Sequence, residues 1–209
     1  MRLSKVISII LHPIFMPSIA LYLSIKLIPD IGAEVKKSLN VIYLVLFFST
    51  IIMPLISVLF LIKKNVVSSL EMKNYRERSL PLFIGFLWMC IGYYKVEEFL
   101  PLILEVELIC AITITLFSSI ISKFWKISLH MLAVGGIVGI ILGLNMLFGG
   151  LLQQIMLAIL FAGTLGWARI SEKAHDYSQL SVGFLLGFLI EISGFLILQN
   201  YFYNFNLSL

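Results

Sequence analysis

Two histidines in this chain stand beside basic residues in a way that suits chemistry on a phosphoryl group. His175 follows Arg169 with five residues between them in W-A-R-I-S-E-K-A-H-D-Y-S-Q, and His130 closes the stretch W-K-I-S-L-H, after Lys126 and Ser128. A third basic group, Lys73, Arg76 and Arg78, lies in N-V-V-S-S-L-E-M-K-N-Y-R-E-R-S-L-P. Arginine presents a planar fork that matches phosphate oxygens, and lysine adds a point charge. One imidazole can then attack phosphorus while a second protonates the leaving oxygen. His12, the remaining histidine, precedes Pro13 with no charged neighbour and reads as a hydrogen-bonded packing residue outside the site.

The elements that carry these residues are set by hydropathy. Of 209 residues 60% are hydrophobic and 12% charged, with a mean hydropathy of +1.05, which excludes an ordinary soluble domain. A helix needs roughly 20 apolar residues to cross the hydrocarbon, because its backbone polar groups must be satisfied internally. Segments of that kind fall near residues 5–28, 40–62, 80–96, 99–122, 129–148, 151–168 and 180–199. The expected fold is all-α, a transmembrane bundle of six or seven helices forming a single membrane domain over residues 1–209. The first segment is too long for a signal peptide and no A-x-A pattern follows it, so it reads as a retained helix. Cys90 and Cys110 fall inside apolar segments without metal or disulfide spacing.

With seven crossings, the loops at 63–79, 123–128 and 169–179 share one face with the N-terminus. That face holds both site histidines and eleven of the fifteen basic residues. The positive-inside rule makes it cytoplasmic, in what reads as a bacterial cytoplasmic membrane. Ser79 with Pro81, and Ser128 with His130 in the first turn, mark helix starts. With the last segment, which begins after Arg169, Lys173 and His175, three helices aim N-terminal N–H groups and partial positive charge at the same face, which favours phosphate. Gly135, Gly139 and Gly143 recur every fourth residue in the fifth segment, as do Gly183 and Gly187 in the seventh. This spacing lets two helices pack closely and would draw His130 toward His175. Glu191 lies near the middle of the last segment, about 18 Å below Gln179 by helical rise. It reads either as part of an ion path or as a neutral hydrogen-bonded acid.

These residues resemble the motifs of the type 2 phosphatidic acid phosphatase superfamily, membrane lipid phosphatases related to vanadium haloperoxidases. Its patterns are K-x6-R-P, P-S-G-H and S-R-x5-H-x3-D. Arg169 and His175 keep the third spacing, Ser128 and His130 the second, and Lys73 and Pro81 the first. Leu80, Leu129, Ala168 and Gln179 stand where the family has arginine, glycine, serine and aspartate. The resemblance implies a metal-independent hydrolase without cofactor, acting on a phosphatidate-like or polyprenyl phosphate or diphosphate, with no nucleic-acid partner. It implies His175 as nucleophile forming a phosphohistidine and His130 as general acid. Lys73 and Arg169, with Arg76 or Arg78 in place of the missing arginine, would hold phosphoryl oxygens, and Lys126, on the same basic face, reads as a further phosphate-binding charge outside the motifs. Ser128 would donate from its hydroxyl or backbone, and Gln179 would take the aspartate's place. Two other classes fit parts of the sequence. A relative that binds phospholipid heads without turnover is suggested by Gln179 and Leu80, and a small transporter by Glu191 and the glycine-rich helices.

Overall fold

Two prolines shape the first membrane crossing. The computed structural model describes residues 3–70, 72 and 74–205, and its first helix, α1 (Leu3–Ile10), stops just before Pro13. A proline lacks the N–H that would continue the ladder and drives the preceding residue out of the helical region. His12 accordingly takes an extended conformation (φ −69°, ψ 134°), and a 3₁₀ turn at Pro13–Phe15 restarts the chain into α2 (Met16–Leu27). The hydropathy pattern predicts one helix over 5–28. The structure corrects this to two helices with His12 at the break.

After the short α3 (Pro29–Val35), the second crossing is also irregular. It runs from α4 (Leu39–Phe47) through a π-helical turn at Phe48–Ile52 into α5 (Met53–Lys63). Pro54 supplies no N–H to the ladder, and the Thr50 hydroxyl donates back to the Leu46 carbonyl at 2.7 Å. Widened turns of this kind recur beside ligand sites.

The remaining crossings are straighter. A 3₁₀ turn at Tyr75–Arg78 leads into α6 (Ser79–Val96), followed by α7 (Leu102–Ile121), α8 (Leu129–Phe148), α9 (Leu152–Ser171) and α10 (Tyr177–Phe205). Ser79 does not cap α6: it is already helical, Arg78 occupies the cap position, and the Ser79 carbonyl accepts a bond from Ser119 Oγ at 2.9 Å. The molecule is an all-α bundle with seven helical segments among the described residues long and apolar enough to cross a membrane. Their outer faces expose Phe60, Leu160 and Ile197, each more than half accessible, as a surface against lipid requires.

α8 is the central helix, with 67% of its apolar window buried against 22–39% for the other spans. Its glycine face meets α10 as the spacing predicts. A Cβ on Gly135 would collide with the Phe184 backbone, one on Gly143 with the Phe195 ring, and one on Gly187 with the Leu132 carbonyl. The missing side chains let the two backbones approach, and this seats the start of α8 beside the start of α10.

Candidate functional site

The site is assembled where α1, α8, α9 and α10 end or begin. Because α1 stops before Pro13, carbonyls of its last turn lack helical partners. One of them, Ser8 O, lies 3.0 Å from Nε2 of His130 in the first turn of α8, so that ring nitrogen donates and Nδ1 is the one left free. The His12 ring stands edge-on to His130 with centroids 5.4 Å apart. His12 Nδ1 accepts the Ile14 N–H at 3.3 Å, which leaves its Nε2–H to donate. Sequence reasoning missed His12. Its signal is the position itself: a polar ring directly before a proline inside an apolar segment sits where the helix must break.

Arg169 occupies the last turn of α9. Its Nη1 pairs with Glu172 Oε2 at 2.8 Å, and the same oxygen accepts from Ser8 Oγ at 3.1 Å, so α1 and α9 jointly hold the guanidinium. Arg169 Nε is buried without a partner. The chain then turns through Lys173 in the left-handed region (φ 52°). Asp176 binds Ser178 Oγ at 2.6 Å and the Gln179 N–H at 2.9 Å, so its carboxylate caps α10 rather than orienting His175.

His175 lies between α9 and α10 and is only 8% exposed. Its Nδ1 is 2.8 Å from Gln179 Oε1. An amide oxygen only accepts, so this contact puts the proton on Nδ1 and a lone pair on Nε2. Burial pushes the His175 pKa down to about 4. The Gln179 bond opposes that shift, while the charges of Arg169, Lys126 and Arg78 reinforce it. The imidazole is neutral near pH 7.

The basic residues separate into two sets. Arg78 donates its Nε–H to the Met72 carbonyl at 3.2 Å and lines the same cavity as His12, His130, Arg169 and His175. Lys126 is half-buried, and burial together with the charges of Arg78 and Arg169 lowers its pKa, partly offset by Asp176. Arg76 is exposed, 5.9 Å over the Tyr75 ring, and does not line the cavity. Ser128 is fully buried and also off the cavity wall. It caps α8 by accepting the Met131 N–H at 3.4 Å, and its own N–H donates to the Gln179 carbonyl at 3.4 Å, tying the two helix starts together. Lys73 lies outside the described residues.

The cavity encloses about 600 Å³. Its basic mouth leads inward between apolar walls that include Met89, Leu104, Leu108, Ile137 and Ile140, and it reaches Glu107 and Glu191. Arg169–Glu172 is the one ion pair among the described residues, so Arg78 leaves the mouth positively charged, with the Lys126 charge acting on His175 from off the cavity wall. In a partly dry setting such a cluster favours an anion. A basic mouth on an apolar chamber suits an amphiphile with an anionic head.

Fold and site together define a polytopic helical membrane protein with a histidine-lined, positively charged cavity toward one face. No protein-family model matches the sequence, and no curated protein or solved structure matches it significantly.

Proposed function

We propose that this protein hydrolyses the phosphate of a membrane lipid, a phosphatidate-like or polyprenyl phosphate or diphosphate. The observation that carries this reading is His175, whose Nδ1–H is held by Gln179 at 2.8 Å so that a neutral Nε2 lone pair is free beside Arg169, Lys126 and Arg78.

In this mechanism Nε2 of His175 attacks phosphorus as the bond to the lipid oxygen breaks. His130, protonated on Nδ1 while Nε2–H stays on the Ser8 carbonyl, passes its proton to that oxygen and releases the lipid alcohol. Water next attacks the phosphohistidine. His130 takes back a proton, the P–N bond breaks, and inorganic phosphate leaves with the histidine restored. Arg169 and Arg78 hold the phosphoryl oxygens throughout, stabilising the charge that builds up as bonds exchange. Ser128 acts by position, fixing the start of α8 against Gln179. We take the basic face as the cytoplasmic side of a bacterial membrane, from the excess of lysine and arginine in its loops.

The test is phosphate release from lipid phosphates by the purified full chain. The parent protein should release phosphate and His175→Ala should not; release that persists in the variant removes the nucleophile from the scheme. Gln179 supplies an amide where a carboxylate would add charge, which favours a second reading, a lipid-phosphate binder without turnover. Saturable binding of a lipid phosphate with no release from any substrate would select that reading.

A further inference from the structure

Residues at both ends of the cavity wall carry a buried polar atom without a partner. Three buried side-chain atoms among the described residues lack a hydrogen-bond partner, and two of them, Arg169 Nε and Glu191 Oε2, belong to residues on this cavity's wall. Arg169 is in the last turn of α9 at the basic mouth. Glu191 lies fourteen residues beyond Tyr177 on α10, about 20 Å deeper by helical rise.

Glu191 is 2% exposed and sits where packing alone would place a leucine. Its neighbours show what a purely structural acid looks like here. Glu107, 5% exposed, accepts the Ser24 hydroxyl at 2.7 Å. The Cys110 thiol, beside the Glu191 carboxyl, points toward the Ile190 carbonyl at 3.6 Å. Glu191 lies on the cavity wall, and its Oε2 is buried there without a hydrogen-bond partner. Space above it is left by Gly136, where a Cβ would come within 3.5 Å of Glu191 Cγ and 3.8 Å of Oε1. No described lysine, arginine or histidine pairs with either acid. A carboxylate without a cation is costly in hydrocarbon, so the group that completes such a site is a hydrogen-bonding one.

We propose that the deep end of the cavity is a second recognition point, which binds a hydroxyl on the apolar stem of the ligand about 15–20 Å from its phosphate. A hydroxyl both donates and accepts, matching a carboxylic acid in both roles without carrying charge into the hydrocarbon. The preferred ligand is an amphiphile phosphorylated at one end and hydroxylated far along its chain. A plain methyl terminus would offer the Glu191 carboxyl no partner. This inference rests on the basic mouth being the phosphate seat.

The experiment uses the full chain in lipid nanodiscs and three non-hydrolysable probes: dodecylphosphonate, ω-hydroxydodecylphosphonate and ω-aminododecylphosphonate. The hydroxylated probe should bind about tenfold more tightly than the plain one. Glu191→Leu should erase that gain while leaving the affinity for dodecylphosphonate within threefold. Moving the hydroxyl to mid-chain should also erase it, a measurement that needs no variant. Equal binding of the hydroxylated and plain probes, with both weakened by Arg169→Gln, overturns the deep site and leaves the phosphate seat standing. Tighter binding of the amine than the hydroxyl overturns the choice of group. Loss of binding for every probe, or indifference of all of them to Arg169→Gln, overturns the phosphate seat and the inference with it.

Discussion

Replacing Gln179 with glutamate tests the proposed chemistry at its most informative atom. Gln179 Oε1 lies 2.8 Å from His175 Nδ1, so the substitution exchanges an amide acceptor for a carboxylate at the same reach. A net hydrogen bond between neutral groups contributes about 1 kcal/mol, and one to a charged group about 1.5–3 kcal/mol. The difference falls on the state in which His175 becomes cationic as its Nε2 bonds to phosphorus. About 1.4 kcal/mol there is tenfold in rate, so Gln179→Glu should raise the rate of phosphate release about tenfold. The same interaction favours imidazolium in the free protein. The acid limb of kcat/KM, set near pH 4 by the neutral His175, should move upward by about one pH unit. Gln179→Leu removes the acceptor and lets the ring shift its proton to Nε2, blocking the lone pair, so release should fall by about tenfold or more. Rates and pH profiles on a short-chain lipid phosphate decide the matter. An unmoved acid limb with no gain in rate for Gln179→Glu would show that Gln179 does not hold a nucleophilic ring.

Two further outcomes follow from the same geometry. Gly135→Ala places a Cβ against the Phe184 backbone and should cost about 1–3 kcal/mol through overpacking, whereas Gly163→Ala, with nothing within 4 Å, should be neutral or stabilising by about 1 kcal/mol; thermal melts in detergent that rank them the other way would refute the α8–α10 contact. The folded-state pKa of His175 near 4 lies below the ordinary value of 6.5, so the unfolded chain binds this proton first as the medium is acidified. Its contribution to stability is therefore complete above pH 6.5 and is lost as pH falls from 6.5 to 4, by about 1–2 kcal/mol once solvent near the mouth is allowed for. His175→Asn should lose less stability over that interval than the parent in matched pH melts.

Much of the architecture was legible in the sequence, for physical reasons that differ from element to element. Apolar runs mark crossings because lipid imposes a length and a composition, and the glycine spacing of α8 and α10 marks a contact because only small residues allow that approach. Helix ends were less legible. The sixth segment is expected to end at residue 168, where Arg169 interrupts the apolar run, yet α9 continues to Ser171 because backbone hydrogen bonds rather than hydropathy decide where a helix stops. Arg169 therefore projects from a rigid turn instead of a loop. Arg76 and Arg78, two residues apart, could not be ranked from spacing. The 3₁₀ turn at Tyr75–Arg78 separates them, sending Arg76 over Tyr75 and Arg78 into the cavity.

The least legible feature is the one that most alters the site. Hydropathy averages over Pro13 and reports one crossing, but that proline ends α1 and leaves the Ser8 carbonyl to accept from His130. It also turns His12 toward the same ring. A single backbone constraint thus fixes which nitrogen of His130 stays free and brings a third imidazole to the cavity. Local sequence near His130 holds no trace of this, since its partner lies 122 positions earlier in the chain. Restoring a continuous first helix with Pro13→Ala would give Ser8 O a helical partner and release the His130 ring. On this geometry such a change impairs the proton transfer while leaving His175 and Gln179 untouched, so the phosphohistidine intermediate should still form from an activated ester whose leaving group needs no proton.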